Sequence, residues 1–314
     1  MGGGFIVKVV SVINYKGGVG KSTLAANLGA YAASAGRRVL MIDMDPQTHL
    51  TFSFMTPDVW RERYSDNRTF KNYFEAVING DFVLPSLRRY LIPLNNWDML
   101  KLGDEKFDLI SSHLGLVDLD TELASMIVVS NDNIKASTSL KAFSYLRNGL
   151  AELQSEYDIA IIDCPPTFGV SVKNALFASD CYIIPAKLDY LSMLGIDHLE
   201  ENVEKLKQAC DEYIDTLKNG SYERMNLSVL GIVPMMVNIT KGDTPITAQQ
   251  EYMQAMKEHY YMFHYVRNNG SVFGGAPKDG VPAVLTRPRF NLTAKKIVKE
   301  LKDLGEEFLR KVEA

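Results

Sequence analysis

A glycine-rich segment near the start of the chain separates a strand-like run from a helix-like run, and this order leaves few folds open. Residues 5–13 (FIVKVVSVI) are apolar and β-branched, as is typical of a buried strand. Residues 15–23 (YKGGVGKST) follow them. Beyond this segment, apolar side chains recur at helical spacing, at Leu24, Leu28, Tyr31 and Ala32. A strand, a glycine-rich bend and a helix in succession predict the opening unit of an α/β fold.

The glycine-rich segment has the chemistry of a phosphate-binding loop. The ordinary pattern is G-x-x-x-x-G-K-[ST]; Gly20, Lys21 and Ser22 fill its last three positions, whereas Tyr15 stands in place of the first glycine. Backbone N–H groups in such a bend point toward one spot at the positive end of the helix dipole. We therefore expect phosphate contacts from Gly17, Gly18, Val19, Gly20, Lys21 and Thr23, with the Ser22 hydroxyl bound to Mg²⁺. The alternative is a glycine-rich turn with two solvated lysines.

Two later apolar runs end in aspartate. Residues 39–44 (VLMIDM) include Asp43 and are followed by Asp45, and residues 159–163 (IAIID) end at Asp163. Ligands of open α/β sheets bind at the carboxyl ends of the strands, so these carboxylates are expected beside the terminal phosphate and Mg²⁺. Asp43 and Asp163 are the predicted metal-site carboxylates. A strand-end cap or surface turn is the alternative for residues 43–47.

These motifs resemble those of a known family. Residues 16–22 (KGGVGKS) match the deviant Walker A motif K-G-G-x-G-K-[ST] of the ParA/MinD family of partitioning and positioning ATPases. Residues 43–47 (DMDPQ) resemble its D-x-D-P-Q motif, and residues 163–166 (DCPP) resemble its Walker B end and switch loop. The resemblance implies that Asp45 orients the attacking water. It also implies that Lys16 crosses an ATP-dependent homodimer to the partner's nucleotide, so Lys16, Lys21 and Asp45 are the predicted catalytic residues.

Lys16 also has a plainer interpretation. The sequence by itself shows only a cation next to a phosphate site, which could act within its own subunit. The dimer is thus an implication of the resemblance.

The remaining pattern predicts one P-loop ATPase domain over residues 1–314. Strand-like runs at 181–185 and 227–234 alternate with helical patterns at 171–179, 196–217 and 247–260. This alternation predicts a mostly parallel, twisted β-sheet flanked by helices on both faces. Residues 51–145 are rich in Asn, Asp and aromatics, and we expect a helical and loop-rich insertion packed beside the sheet.

Base recognition is predicted after the last long strand. Asn238 follows that strand, and a side-chain amide can present one donor and one acceptor to adenine. An ordinary turn residue is the alternative for Asn238. The loop at 275–279 (GAPKD) resembles the segment that lines the adenine pocket in the family, which adds Pro277, Lys278 and Asp279 to the predicted nucleotide site.

The C-terminal region is locally basic although the chain carries a formal net charge of −4. A basic amphipathic helix is expected at about 292–312, with Lys295, Lys299 and Lys302 on one face. ParA proteins bind DNA without sequence preference, and the resemblance makes this region the candidate DNA surface. The candidate residues are Arg287, Arg289, Lys295, Lys296, Lys299 and Lys302. A solvated helix face is the alternative.

Several functional classes are disfavoured. No apolar run approaches the roughly 18 residues of a membrane span, and no signal peptide opens the chain. About fourteen residues precede the phosphate loop, too few for the helix-turn-helix domain of longer ParA proteins. The end of the chain is too acidic for a MinD-like membrane tail. The three cysteines lack metal-ligand spacing and are expected to be reduced thiols.

The expected protein is a cytoplasmic, nucleoid-associated and Mg²⁺-dependent ATPase. It would turn over slowly alone and would segregate plasmid or chromosome DNA with a ParB-like partner. A positioning ATPase for another cargo is the first alternative. An ATP-dependent ligase or synthetase on the same fold is the second.

Overall fold

Strand β1 lies near the middle of an eight-stranded sheet in this computed structural model, which describes residues 7–79, 84–94, 105–127, 131–218, 220, 222–274 and 279–314. Across the sheet the strand order is β3-β4-β2-β5-β1-β6-β7-β8. The strands are β1 (Lys8–Val12), β2 (Val39–Asp43), β3 (Ile92–Pro93), β4 (Phe107–Ile110), β5 (Ile159–Asp163), β6 (Cys181–Ala186), β7 (Ser228–Val237) and β8 (Val266–Arg267). Neighbouring strands are parallel except for the edge pair β3–β4.

Helices cover both faces of the sheet. They are α1 (Lys21–Ser34), α2 (Pro57–Arg63), α3 (Phe70–Asn79), α4 (Leu116–Ile127), α5 (Asp132–Ala151), α6 (Val170–Ala178), α7 (Tyr190–Leu217), α8 (Thr247–Lys257), α9 (Gly270–Phe273) and α10 (Leu292–Val312). Helices α3 to α7 pack on one face and α1 and α10 on the other. The mostly parallel sheet with helices on both faces confirms the predicted fold class.

The alternation of side chains along the central strands divides the core into two layers. Val9 contributes to the core beneath α3 to α7, whereas its neighbour Val10 contributes to the core beneath α1 and α10. Ile162 and Ile161 on β5 divide in the same way. Successive strand residues point to opposite faces of the sheet. Because helices cover both faces here, both sets of side chains are buried, and the strands are therefore mostly apolar.

The segment 51–145 contains more sheet than the sequence predicted. Helices and loops were expected beside the sheet, and α2 to α5 meet that expectation. In addition, β3 and β4 extend the sheet beyond β2, with Val39 to Ile42 of β2 in parallel register with Phe107 to Ile110 of β4. The segment therefore contributes two short strands to the sheet in addition to its helices and loops.

No helix within the described residues combines the length and the apolar character needed to cross a membrane.

Candidate functional site

The phosphate loop leaves β1 at the carboxyl edge of the sheet and enters α1. Gly18 and Gly20 have φ values of 67° and 94°, in the left-handed region that favours glycine. A Cβ atom on Gly20 would lie 2.8 Å from Cε of Met235, the end of a flexible side chain, so the positive φ angle is the main reason for glycine there. The two positive φ angles turn the chain abruptly from strand to helix and leave the first N–H groups of α1 free for an anion.

A cleft of about 340 Å³ opens over this loop. Six of the eight residues 16–23 that were predicted to bind phosphates line it; Lys16 and Val19 do not. Asp45 also lines it, as predicted for a residue that meets the attacking water. The described lining residues are Gly17, Gly18, Gly20, Lys21, Ser22, Thr23, Ala26, Asn27, Asp45, Gln47, His49, Ser53, Pro166, Met236, Phe273, Pro282 and Ala283.

Asp43 organises the loop that carries Asp45. Its Oδ2 accepts hydrogen bonds from the backbone N–H (2.8 Å) and the hydroxyl (2.7 Å) of Thr51, and its Oδ1 accepts one from the N–H of Asp45 (3.2 Å). Burial raises the pKa of Asp43 to about 7, against the opposing effect of the Thr51 hydrogen bonds. Because its oxygens are already engaged, Asp43 serves the site by shaping the loop, and its predicted role as a metal ligand gains no support from this geometry.

Asp163 has the properties of a cation ligand. It stands beside Asp43 in the β2–β5 register and is fully buried, and neither of its carboxylate oxygens accepts a well-formed hydrogen bond within the described residues. Burial and then the charge of Asp43 raise its pKa well above the usual range, while Ser22 and Lys21 oppose that rise. A buried carboxylate without a well-formed hydrogen bond, next to the Ser22 hydroxyl, fits Mg²⁺, which takes oxygen ligands and keeps several waters.

The metal would be shared with phosphate and water. No group of three or more His, Cys, Asp or Glu side chains suited to a metal ion occurs in the described part of the chain. This is the expected condition for Mg²⁺ in a nucleotide site, where one or two protein groups and the phosphates complete the coordination.

Lys16 is held at the front of the loop by a different helix. Its Nζ donates to Oδ1 and Oδ2 of Asp189 at 3.0 and 2.9 Å, and to the Ser192 hydroxyl at 3.3 Å. Asp189 is also the N-cap of α7, since its Oδ1 accepts from the N–H of Ser192 at 2.8 Å. In the single subunit Lys16 is therefore bound to α7, and it does not itself line the cleft.

Tyr15, the residue before it, joins the loop to two other parts of the site. Its ring contacts Phe168, in the loop after β5, in an edge arrangement with centroids 5.7 Å apart, and it contacts His198 on α7 at 5.6 Å. The ring of Tyr15 thus links three elements: the phosphate loop, α7, and the loop after Asp163.

The residues predicted for base recognition do not line the cleft, as far as the structure describes them. Asn238 is exposed and does not line the cleft; its Oδ1 accepts from Nδ2 of Asn268 at 3.4 Å. Asp279 is exposed and is also absent from the lining, and Pro277 and Lys278 lie outside the described residues. Met236 and Phe273 line both the main cleft and an adjoining hollow of about 100 Å³.

Several cleft residues had no recognisable signal in the sequence. His49, Gln47 and Ser53 enter the cleft because the loop after Asp45 turns at Thr48, whose φ is 57°. Ser112, which follows β4, supports this loop from below by donating its hydroxyl to the backbone oxygen of Asp45 at 2.6 Å. The D-x-D-P-Q motif could have indicated Gln47, but no pattern indicates a contact from a residue so distant in sequence as Ser112.

The C-terminal helix has the predicted amphipathic form. Ile297, Leu301, Leu304 and Phe308 are buried against the sheet. The predicted cations are all exposed, namely Arg287, Arg289, Lys295, Lys296, Lys299 and Lys302. Among these, Lys296 donates to Asp243 at 2.8 Å, and the others have no ion pair within the described residues. The basic surface is separate from the nucleotide cleft.

Comparisons with known proteins show the family of the chain. Residues 7–216 match the AAA_31 family, described as an AAA domain. The chain is 33% identical over 205 residues to the chromosome partitioning protein ParA of Myxococcus xanthus, a match that spans 64% of this chain and 59% of that protein.

Two solved structures share the fold. The ATP complex of a variant of Cyanothece McdA has a TM-score of 0.68 and 21% identity, and covers 98% of this chain and 97% of its own. Cobyrinic acid a,c-diamide synthase of Mycobacterium smegmatis, with a bound ATP analogue and magnesium, has a TM-score of 0.64 and 21% identity, and covers 97% and 95%. The family match over most of the chain, together with the phosphate loop and its two lysines, shows that the chain belongs to the AAA_31 family and is a P-loop ATPase of the ParA/MinD group.

Proposed function

We propose that this chain is a ParA-type ATPase that closes into a homodimer around ATP and Mg²⁺ and binds DNA without sequence preference. A ParB-like partner would stimulate hydrolysis and so drive the segregation of plasmid or chromosome DNA. The observation that carries the proposal is Lys16, a second lysine at the exposed front of a phosphate loop that already has Lys21 in its cleft. The similarity to a chromosome partitioning protein supports it.

The residues of the cleft divide the chemistry among them. Backbone N–H groups at Gly17 to Gly20 and the ammonium of Lys21 hold the phosphate chain, and Asp45 orients a water toward the terminal phosphate. Ser22 and Asp163 hold Mg²⁺ directly or through water. The metal supplies positive charge that neutralises the phosphate oxygens during transfer. The ATP and ATP-analogue complexes of two proteins with this fold support this assignment.

Hydrolysis by the protein alone is expected to be slow. No arginine is among the described residues that line the main cleft. Arginine side chains are the common source of extra transition-state stabilisation in P-loop enzymes. A rate that depends on a partner is therefore part of the proposal.

The rival from another class is an ATP-dependent ligase or synthetase, since cobyrinic acid a,c-diamide synthase shares the fold. Such an enzyme needs a second substrate pocket next to the terminal phosphate. A cavity of about 200 Å³, lined by Val7, Val9 and Asp180 among others, lies at the end of the sheet opposite the phosphate loop, so it could not hold a second substrate next to the terminal phosphate. A positioning ATPase for another cargo would use the same switch.

The test is DNA binding to a random-sequence duplex with no nucleotide, with ADP, and with a non-hydrolysable ATP analogue, with the molecular mass recorded in each state. We expect a dimer and salt-sensitive DNA binding only with the analogue. An analogue-dependent dimer that does not bind DNA would favour the positioning role. A monomer in all three states would contradict the proposal and favour the ligase.

A further inference from the structure

The segment that leads into α10 presents an aromatic side chain to solvent. Phe290 is 95% exposed and Leu292 is 74% exposed, the two highest values among the large apolar side chains described. Phe290 takes part in no ring or cation–π contact within the described residues. Its ring therefore contributes no packing to the fold, although a phenyl group is among the largest apolar surfaces that a side chain can bury.

Helix capping does not account for Phe290 either. Asn291 is the N-cap of α10, and its side-chain oxygen accepts from the N–H of Ala294 at 3.0 Å. An apolar residue just before the N-cap commonly packs on the fourth residue of the helix. Here that residue is the exposed Lys295, so no such packing forms. The Asn291 cap holds the backbone next to Phe290 in place, while the ring itself is exposed to solvent.

Cationic side chains precede and follow Phe290 along the chain. Arg287, Arg289 and Lys295 are exposed and have no ion pair within the described residues. Two acids of the C-terminal region are engaged elsewhere, because Arg267 binds both Glu300 and Asp243, and Lys296 also binds Asp243. An apolar protein partner would gain nothing from these cations. An anionic polymer that also offers aromatic faces would use both kinds of side chain.

We propose that residues 287–295, here called the basic–aromatic segment, contact duplex DNA through Phe290 as well as through their cations. Arg287, Arg289 and Lys295 pair with phosphates, while Phe290 inserts at a base step from the minor groove, with Leu292 beside it. The inference rests on the proposed DNA binding and adds to it a contact that salt does not screen. A wedge of this kind needs no base-specific hydrogen bonds, so it is compatible with binding to any sequence.

The test compares three single variants with the wild type, all with the ATP analogue and a random-sequence duplex, across a range of salt concentrations. Phe290→Ala should weaken binding about tenfold and leave the slope of log affinity against log salt unchanged, because stacking releases no counterions. Arg289→Gln should reduce that slope by about one. Leu114→Ala is the matched control: it removes a side chain that is 66% exposed, far in sequence from the basic–aromatic segment, and should change neither quantity.

The outcomes separate this inference from the function on which it rests. Wild-type affinity in Phe290→Ala, with a reduced slope in Arg289→Gln, would show a purely electrostatic surface and overturn the role of Phe290. A wild-type protein that dimerises but binds no DNA would contradict the DNA-binding function as well. Vesicles of phosphatidylserine and phosphatidylcholine provide the last comparison. Binding to them that requires Phe290, without DNA binding, would assign the segment to a lipid surface and overturn the proposal.

Discussion

At the scale of single residues, the carboxylates of the site differ in what already satisfies them. Asp43 accepts three hydrogen bonds from the loop it shapes, whereas Asp163 is buried and accepts no well-formed hydrogen bond within the described part of the chain. Asp45 accepts one, from the N–H of Gln47 at 3.0 Å, and faces the cleft. The three aspartates of the predicted site thus differ in their hydrogen bonding, and we expect a different result when each is substituted.

Asp45→Asn should bind ATP normally and hydrolyse it at least a hundredfold more slowly, because an amide orients water poorly as a hydrogen-bond acceptor. Asparagine retains an oxygen for the N–H of Gln47, so the loop should keep its shape. Binding of a fluorescent ATP analogue and phosphate release measure the two effects. Normal phosphate release would remove Asp45 from its proposed role.

The stability of the nucleotide-free protein should fall as pH rises from about 5 to 7.5. Burial raises the pKa of both Asp43 and Asp163, so the folded chain retains protons that the unfolded chain releases, and unfolding becomes easier at higher pH. The expected loss is on the order of 2 kcal/mol. Urea unfolding at the two pH values measures it, and Asp163→Asn should remove the part of the difference that comes from Asp163 and leave the part that comes from Asp43. Greater stability of the wild type at pH 7.5 would contradict the account.

At the scale of the elements, the sequence predicted the strands that carry chemistry and missed β4. Strands β1, β2 and β5 were legible because each is mostly apolar and ends at a motif. Strand β4 (FDLI) carries the buried Asp108, whose charge suggested a loop. In the structure the hydroxyl of Tyr157 donates to Asp108, and Lys106 lies 3.8 Å from it. Partners from other segments make this acid tolerable in a strand, and sequence pattern alone cannot show them.

The packing of α1 against α10 depends on a glycine. A Cβ on Gly305 of α10 would lie 2.4 Å from Cγ of Tyr31 on α1, whereas a Cβ on Gly195, inside α7, would meet nothing within 4 Å. Alanine favours a helix over glycine by about 1 kcal/mol at both positions. Gly195→Ala should therefore stabilise the protein by up to about 1 kcal/mol, and Gly305→Ala should destabilise it by about 1–3 kcal/mol through overpacking. Chemical denaturation compares them; equal effects would contradict the close approach of the two helices.

At the scale of the whole molecule, Lys16 is the residue through which the nucleotide site would take part in the proposed homodimer. The sequence could identify this lysine but could not show that Asp189 holds it, because the two residues are brought together only by the position of α7 next to the loop. Their side chains are 33% and 42% exposed, so the ion pair contributes about 0–1 kcal/mol. An interaction of this size can be exchanged readily for a contact with phosphate.

Lys16→Ala should keep its affinity for the ATP analogue within about threefold and remain monomeric, because Lys21 and the loop hold the phosphates in the single subunit. Asp189→Asn is the matched variant, since asparagine still caps α7 while releasing Lys16, and it should dimerise at equal or lower analogue concentration. Light scattering and equilibrium binding measure both. A loss of affinity above tenfold in monomeric Lys16→Ala would show that Lys16 acts within its own subunit.

The central position of β1 also implies that local unfolding begins elsewhere, at the edges of the sheet. This strand is flanked by β5 and β6 and is separated from each edge of the sheet by further strands, whereas β3 and β8 at the edges have two residues each. Local opening begins where few buried contacts and hydrogen bonds hold the backbone. Amide hydrogens should therefore exchange within seconds to minutes at the edges and only through global unfolding at β1. The phosphate loop would then be attached to the last part of the fold to open, and would persist through fluctuations that release the outer strands.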